Sequence, residues 1–444
     1  MLQKTFASSL LCVIMLTLLS CSNLEQVSTR LPTIELFSAY AIDPNTAEAN
    51  GFLSNVAEML PEVGLVWSEK PNPTTSDFVT NLKEVNRELN IALKMNRLIE
   101  NKTYYMRLFF KRDGETIYSN EIKFIQKQNR EWQKMASVEM FANQRMLSDY
   151  FTYLGYSDVV YIKKIDLETN FVTDQLFYIR ANQWDLLRSY SPDPPAPSKE
   201  TMRYNPVFCY FGSNPELPVY GAGYKLDNYG NRIYLKDIYF TPFGRLAGLP
   251  WTPYSGADAP TVSFGTKEAP YILENLPNGK LWRYTYFKPP LEWETVSTIP
   301  YNKPARYIAF DIGETALILI EPEDEKEPLS VFEYLPLTRK WVQKANFVGE
   351  NRRLGTGFVY ENIAYYGLGK ATQGVKGLSD LWAFNYETNQ WKKVTDFPGN
   401  GHVNMIAGST SLGILIGYGQ RLLKSSVGGE DYRDMQDWWL YVPK

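Results

Sequence analysis

Five basic residues recur at matching points in the second part of the chain, each shortly before an apolar strand pattern. They are Arg145, Arg203, Arg306, Arg353 and His402. Guanidinium groups bind carboxylate or sulfate through paired hydrogen bonds, so a cluster of them suits an acidic ligand. Equivalent positions of a repeat form one ring when the repeats pack around an axis. The spacing predicts a basic mouth, although each arginine by itself can instead bond backbone carbonyls or a neighbouring acid.

Metal and thiol chemistry have few candidate residues. His402 is the only histidine, and the three cysteines are Cys12, Cys21 and Cys209. Zinc and copper sites are built from several histidine or cysteine side chains, so we predict no metal and no cofactor. Cys209 lies in an apolar run, Val207–Phe211, which favours a buried small hydrophobe over a nucleophile.

The N-terminal residues have the pattern of an export signal. Lys4 provides a positive charge, and Leu10–Leu19 is an apolar run too short for a comfortable membrane span. The run ends in Leu18-Leu19-Ser20-Cys21, which resembles a lipobox. This resemblance implies a signal peptide over residues 1–20, a lipid on Cys21 and a tether over residues 21–31. The expected location is the cell envelope, with a lipid anchor in the outer membrane.

Residues 32–127 carry strand patterns throughout. Ile34–Tyr40, Glu62–Trp67 and Thr103–Phe110 read as strands, Asp113-Gly114 is a hairpin signal, and Tyr118–Phe124 alternates again.

Residues 32–127 also resemble a known family. Gly64-Leu65-Val66-Trp67-Ser68, Asn72-Pro73-Thr74, Asn101-Lys102-Thr103-Tyr104-Tyr105-Met106-Arg107 and Tyr118-Ser119-Asn120-Glu121 resemble the fibronectin-type-III-like modules of Bacteroidetes envelope lipoproteins. The resemblance implies an Ig-like β-sandwich that acts as a spacer.

Residues 128–444 contain a repeat with a period of about 50 residues. Its clearest copies are Leu378–Val394 and Val331–Lys344, each of which ends near a tryptophan. The corresponding tryptophans are Trp132, Trp184, Trp293, Trp341 and Trp391, with one copy degenerate between the second and third. After each tryptophan come a basic residue, an apolar strand and, in most copies, a glycine-containing strand.

This pattern resembles the kelch repeat, which implies a β-propeller of four-stranded blades. We count six blades. Trp132 belongs to a closing strand with no preceding partner, and Asp437–Pro443 is a partner strand with nothing after it. Pairing these two segments would complete the sixth blade and remove an open edge. The alternative is an irregular pair of β-sandwiches.

The sequence thus predicts an all-β chain that binds a glycan, an acidic peptide or an envelope protein. A net charge of −3 and the lack of a basic stripe argue against nucleic acid. One alternative is an enzyme resembling the kelch-type sugar epimerases, for which Glu139 or Asp149 are the acid/base candidates. Another is a structural subunit of an envelope complex. For an uncharged ligand, aromatic loops such as those of Tyr254 or Tyr301 would replace the arginines.

Overall fold

All regular structure in the described part of the chain is β-strand, as the sequence predicts. The structure is a computed structural model. It describes residues 31–56, 59–87, 89–127, 131–135, 144–146, 152–154, 159–166, 172–180, 183–190, 207–211, 214–226, 229, 231–240, 244–245, 248–249, 262–267, 269–285, 292–373, 376–399, 402–424, 430–435 and 437–443. Within these ranges no helix is long and apolar enough to span a membrane.

The chain divides into two compact units, the first ending at Gln128 and the second beginning at Asn129. The first unit contains two antiparallel sheets, with strand orders β1-β2-β5 and β4-β3-β6-β7, and β8 also pairs with β6. Its strands are β1 (Thr33–Asp43), β2 (Thr46–Ser54), β3 (Leu60–Ser68), β4 (Phe78–Val85), β5 (Leu89–Met95), β6 (Thr103–Arg112), β7 (Glu115–Tyr118) and β8 (Ile122–Ile125).

Alternating side chains of both sheets form one buried cluster in the first unit. Leu36 and Leu93 come from the first sheet, and Leu65, Trp67 and Phe110 come from the second. Burying each of these side chains contributes about 1.5–3 kcal/mol relative to leaving it exposed. The shared cluster therefore holds the two sheets against each other.

The hairpin predicted at Asp113-Gly114 is present. Both residues have positive φ, 51° and 81°, and Arg112 pairs with Glu115, as a two-residue turn requires.

The single strand predicted over Tyr118–Phe124 is wrong, because the chain leaves the ladder between β7 and β8. The Asn120 side chain accepts from the Leu36 backbone N–H at 2.9 Å and donates to the Leu36 carbonyl at 2.8 Å. This amide therefore links the second sheet to the first at the point where the ladder is interrupted.

The second unit contains six larger sheets of four or five strands and three smaller ones among its described residues. Its strands are β9 (Trp132–Met135), β10 (Gln144–Met146), β11 (Thr152–Leu154), β12 (Val159–Asp166), β13 (Val172–Arg180), β14 (Gln183–Tyr190), β15 (Val207–Phe211), β16 (Asn214–Gly221), β17 (Tyr224–Leu226), β18 (Arg232–Tyr234), β19 (Ile238–Phe240), β20 (Gly244–Arg245), β21 (Val262–Gly265), β22 (Pro270–Leu273), β23 (Lys280–Tyr284), β24 (Trp293–Thr298), β25 (Ala305–Ile312), β26 (Thr315–Pro322), β27 (Ser330–Leu335), β28 (Lys340–Lys344), β29 (Arg352–Arg353), β30 (Thr356–Tyr360), β31 (Ile363–Gly367), β32 (Lys370–Ala371), β33 (Asp380–Asn385), β34 (Gln390–Asp396), β35 (His402–Val403), β36 (Ile406–Thr410), β37 (Gly413–Gly417), β38 (Gln420–Lys424), β39 (Glu430–Asp434) and β40 (Trp438–Tyr441).

The larger sheets are antiparallel meanders. Their orders are β10-β12-β13-β14 with β11 beside β12, β15-β16-β19-β20, β21-β22-β23-β24, β25-β26-β27-β28, β30-β31-β33-β34 and β36-β37-β40-β9. The smaller sheets are β17-β18, β29-β32 and β35-β38-β39. In the last larger sheet the two ends of the unit pair as the sequence predicts, with Trp438 opposite Met135 and Tyr441 opposite Trp132.

The repeated tryptophans fill space between consecutive sheets. Trp391 of β34 packs edge-on against Phe347, which follows the preceding sheet, with ring centroids 5.2 Å apart. Trp132 of β9 packs in the same way against Phe397 at 5.3 Å, and its indole N–H donates to Thr395 Oγ1 at 3.1 Å. Trp132 therefore occupies in the last sheet the place that Trp391 occupies one sheet earlier.

Glycine is required at two positions of the repeat for two different steric reasons. At Gly357 on β30, a Cβ would crowd Ile308 and Phe310 of the preceding sheet, as expected where first strands converge. At Gly417 on β37, a Cβ would overlap the ring of Trp438, on the strand that pairs with it. The second glycine is thus required by a strand partner and not by convergence of the sheets.

Candidate functional site

Three of the five predicted basic residues are described with their side chains. Arg306 lies on β25, Arg353 on β29 and His402 on β35. Arg145 lies on β10, but its side chain is outside the described part, and Arg203 is outside the described residues altogether. The same holds for Cys21, Glu139, Asp149 and Tyr254.

Arg306 forms a buried ion pair with Glu321. Its Nη1 donates to Glu321 Oε1 at 3.0 Å, to Oε2 at 2.9 Å and to the Gly355 carbonyl at 2.9 Å. The two residues face each other across the β25–β26 ladder, and the Glu321 side chain is 2% exposed. Burial by itself lowers the pKa of Arg306, but the charge of Glu321 and its hydrogen bonds raise that pKa above the ordinary value.

Glu321 also holds the connection that leads to the next sheet. Its carboxylate accepts from the Leu354 and Gly355 backbone N–H groups at 3.1 and 3.0 Å and from the Tyr366 hydroxyl at 2.6 Å. Leu354 has a positive φ of 57°, which a non-glycine residue keeps only when its surroundings impose it. Burial and the nearby carboxylate raise the pKa of Tyr366 well above its usual value, so this phenol remains a donor.

Residues Glu321 to Glu327 form an acidic run of the kind that is usually solvated, but the Glu321 side chain is buried. The signal that could have identified Glu321 is its register, because it lies directly opposite Arg306 on the neighbouring strand. Glu327 is also engaged, since it accepts from the Tyr301 hydroxyl at 3.1 Å and pairs with Lys303. Tyr301 is therefore a half-buried donor to Glu327, and burial together with that carboxylate raises its pKa.

The buried arginine of the next repeat is Arg352 and not Arg353. The Arg352 side chain is fully buried, with Nη1 2.6 Å from Asp380 Oδ1 and Nη2 2.8 Å from Oδ2. It also donates to the backbone carbonyls of Glu350 and Leu368 and lies over the ring of Phe347. Burial raises the pKa of Asp380, but the bonds to Arg352 outweigh burial and hold that pKa below the ordinary value.

Arg353 points the other way on the same two-residue strand. It is exposed, and its side chain makes no hydrogen bond or ion pair with any described residue. Its neighbour across the β29–β32 ladder is Lys370. Of the predicted basic set with described side chains, Arg353 is the one whose guanidinium has no partner among the described residues.

His402 occupies in the last repeat the place of Arg352. It is 3% exposed, its Nε2 is 3.7 Å from Asp437 Oδ1, and Phe397 packs edge-on against its ring. Asp437 corresponds to Asp380, because each accepts from a tryptophan two residues later: Trp439 at 3.0 Å and Trp382 at 2.6 Å. The shared Asp-x-Trp spacing is the sequence signal that could have identified both acids.

A further acid, the partly buried Asp311, lies on β25. Its Oδ2 accepts from the Gly265 backbone N–H at 3.2 Å, which connects β25 to the preceding sheet. Burial raises the pKa of Asp311 to about 7, although the bond from Gly265 lowers it. Asp311 lies five residues along β25 from Arg306, so about 16 Å separates them along the strand.

No group of three or more histidine, cysteine or acidic side chains arranged to hold a metal ion occurs among the described residues.

Comparisons with known proteins leave the family open. No family model matches the chain, and no curated protein matches it. A solved structure of the protein YjhT is similar at 11% sequence identity and a TM-score of 0.44, covering 63% of this chain and 91% of that one. A likeness at this level says nothing about a ligand or a reaction.

Proposed function

We propose that this chain is a lipid-anchored envelope protein that binds a glycan, a peptide or a partner protein. In this proposal Cys21 carries the anchor, the first unit is a fibronectin-type-III-like or Ig-like spacer, and the second unit is a six-bladed kelch-type propeller. The binding face is the end of the propeller at which each sheet connects to the next. Arg353 belongs to that face.

Support for a propeller comes from contacts between the first strands of consecutive sheets. Thr356 Oγ1 on β30 donates to the Met405 carbonyl at 3.0 Å, immediately before β36, and Ser409 Oγ donates to Val359 O between the same two strands. The Gly265–Asp311 bond joins β21 to β25 in a similar way. First strands that neighbour each other in sequence order are what a radial arrangement of sheets requires.

The observation that carries the binding role is that buried charges fix the connections while leaving Arg353 outside. Glu321 holds Leu354 and Gly355, and Arg352 holds Glu350 and Leu368 through their carbonyls. These bonds order the backbone on both sides of Arg353 before any ligand arrives. A pre-ordered surface loses less conformational entropy on binding, so its contacts contribute more to affinity.

The charge at this face favours an acidic ligand, such as a carboxylated glycan or an acidic peptide. Arg353 provides an exposed guanidinium, and Arg306, which is 26% exposed, uses only Nη1 in its bonds to described residues. Attraction between exposed charges weakens as salt screens it. An enzyme of the sugar-epimerase kind would need an acid or base free to react at this same end. The carboxylates of Glu321 and Asp380 lie there, but they are held by Arg306 and Arg352.

The test compares Arg353→Ala with Lys392→Ala, which removes one exposed charge from β34, the outer strand of the four-stranded sheet that follows Arg353 in the chain. Binding of carboxylated glycans and of their neutral reduced counterparts is measured by calorimetry at low and high salt. We expect Arg353→Ala to weaken acidic-glycan binding about tenfold, which is about 1.4 kcal/mol, and to leave the melting temperature unchanged. Lys392→Ala should leave both unchanged.

Arg306→Ala serves as a second comparison. Because it leaves Glu321 buried without its cation, it should destabilise the second unit by about 3–5 kcal/mol. Acidic-glycan binding that is identical in Arg353→Ala and the unchanged protein would refute the binding role of this face. If neutral glycans bind and their affinity does not depend on salt, the result would indicate that the binding site is formed by aromatic loops instead.

A further inference from the structure

The last two repeats of the second unit contain the same buried module with one substitution. In one, Arg352 lies beside Asp380, Trp382 and Phe347. In the other, the corresponding aspartate, tryptophan and phenylalanine surround a histidine. These residues are His402, Asp437, Trp439 and Phe397. The module thus keeps its acid and its aromatic wall while its permanent cation is replaced by a titratable one.

The two modules differ in the hydrogen bonds between the basic side chain and its aspartate. Arg352 makes two hydrogen bonds of 2.6 and 2.8 Å to its aspartate. At His402 the nearest carboxylate oxygen is 3.7 Å away, and neither ring nitrogen, nor Asp437 Oδ1, has a hydrogen-bond partner among the described residues. All three atoms are buried, and a buried polar atom without a partner destabilises the fold.

The position of the module gives this difference a consequence. His402 is on β35, directly before β36, and Asp437 directly precedes β40. Strand β40 pairs with β37 on one side and with β9 on the other, and β9 is the first strand of the unit. A bond between His402 and Asp437 would therefore connect the two halves of the sheet that joins the ends of the second unit.

The charged groups around the module come from three other strands. Lys134 on β9 lies over the ring of Trp439, Arg421 on β38 is the backbone pairing partner of His402, and Lys370 on β32 follows Gly369, whose N–H donates to the His402 carbonyl. These groups are cationic across the neutral pH range. Burial raises the pKa of Asp437, but His402, Trp439 and Lys134 together lower it far below the ordinary value. Asp437 is thus an anion throughout that range, and it faces an imidazole, a type of side chain that can take up a proton near neutral pH.

We propose that His402 and Asp437 form a proton-operated latch on the sheet that joins the two ends of the second unit. A neutral imidazole has one N–H donor and leaves the carboxylate without a cation. Protonation gives both ring nitrogens an N–H and adds a positive charge facing Asp437, which closes the 3.7 Å gap into a charged hydrogen bond. The latch is independent of the proposed ligand, and it tightens the closing sheet under mildly acidic conditions.

The experiment compares the unchanged protein with His402→Arg, which installs the permanent cation of the neighbouring module. Thermal unfolding is followed between about pH 5.5 and 8, the range in which histidine titrates. We expect His402→Arg to melt about 3–6 °C above the unchanged protein at pH 8. We expect this difference to shrink to about 1 °C at pH 5.5, because closing the latch by protonation gives position 402 a cation in both proteins.

Asp437→Asn keeps the size of the side chain and removes the anion. In Asp437→Asn, the melting temperatures with histidine and with arginine at position 402 should still be compared at each pH. We expect their difference to be the same at every pH. If His402→Arg does not fold, Arg352→His gives the converse test, because it should introduce an acid-stabilised melting profile into the neighbouring module. His402 is the only histidine, so its imidazole signals in an untagged protein can be followed by NMR without assignment.

A difference between His402→Arg and the unchanged protein that stays constant with pH would overturn the latch. The latch is equally contradicted if the pH dependence survives in Asp437→Asn, or if the imidazole signals do not move over the pH range in which the melting temperature changes.

Discussion

Strand alternation decides which of two adjacent arginines is structural and which is available. Successive side chains on a strand point to opposite faces, so Arg352 is buried against Asp380 while Arg353 faces outward. A shift of one residue would exchange their roles. The sequence repeat aligned Arg353 with His402, whereas the structure aligns Arg352 with it. Among the members of the basic set whose side chains are described, Arg306 and His402 are packed inside the unit, and Arg353 is the exposed candidate for binding.

At the residue scale, the raised pKa of Asp311 predicts how the stability of the protein depends on pH. Its pKa is raised to about 7 by burial, from an ordinary value near 4, so the folded state favours the protonated form. Ionising Asp311 in the folded protein therefore costs stability, and this cost grows as the pH rises from about 4 to about 7. We expect Asp311→Asn to be more stable than the unchanged protein at pH 8 and equally stable near pH 4.

The expected gain at pH 8 is about 1–3 kcal/mol, since each pKa unit corresponds to about 1.4 kcal/mol and partial access to water reduces the effect. Urea unfolding at several pH values measures it. Glu314→Gln is the control, because that carboxylate is exposed and its pair with Lys267 lies on the surface. A loss of stability in Asp311→Asn at pH 8 would show that the carboxylate is needed as an anion, for example as a ligand-binding group.

At the scale of elements, the last larger sheet depends on strands from opposite ends of the second unit. Strand β40 lies between β37 and β9, and its side chains Trp438, Trp439, Leu440 and Tyr441 are all buried. The ring of Tyr441 stacks on Trp132 with centroids 4.7 Å apart. Removing β40 would thus expose two strand edges as well as the aromatic cluster around them.

Deletion of Trp438–Lys444 tests this dependence. Each large side chain lost contributes about 1.5–3 kcal/mol, so the total is comparable to the whole stability of a typical domain, about 5–15 kcal/mol. We expect the shortened protein to aggregate or to lose its cooperative unfolding transition, as measured by size-exclusion chromatography and thermal circular dichroism. Deletion of Pro443–Lys444 alone leaves β40 intact and should behave like the full chain. Equal melting of both deletions would show that the pairing of β40 with β9 is dispensable.

At the scale of the whole molecule, each of the two units has its own buried core. The proposed anchor, Cys21, precedes the first strand of the first unit in the sequence. Cys21→Ala should release the protein from the membrane fraction or leave it unprocessed, because the attached acyl chains provide the anchoring.

Fractionation of cells followed by immunoblotting measures the effect of Cys21→Ala. Cys209→Ala is the matched control, since it removes a cysteine from β15 and keeps the proposed lipidation site. Normal processing and membrane retention of Cys21→Ala would exclude the lipid anchor.

Features that depend on near neighbours could be predicted from the order of the amino acids alone. The all-β class follows from alternating apolar residues, and the hairpin at Asp113-Gly114 follows from residues that accept positive φ. Even the pairing of β9 with β40 could be predicted, because a repeat of constant length leaves an incomplete copy at each end. These signals are periodic or local, so they are present before the chain folds.

The pairing of charges, in contrast, depends on the folded arrangement of the strands. Arg306 pairs with Glu321 through strand register, Arg352 reaches Asp380 across two strands of the repeat, and His402 comes within 3.7 Å of Asp437 without a hydrogen bond. Charge attraction acts through space, and its partners are chosen by register and packing over tens of residues. A shift of one residue along a strand decides whether an arginine is buried or exposed. A difference of about 1 Å decides whether two charged groups form a hydrogen bond.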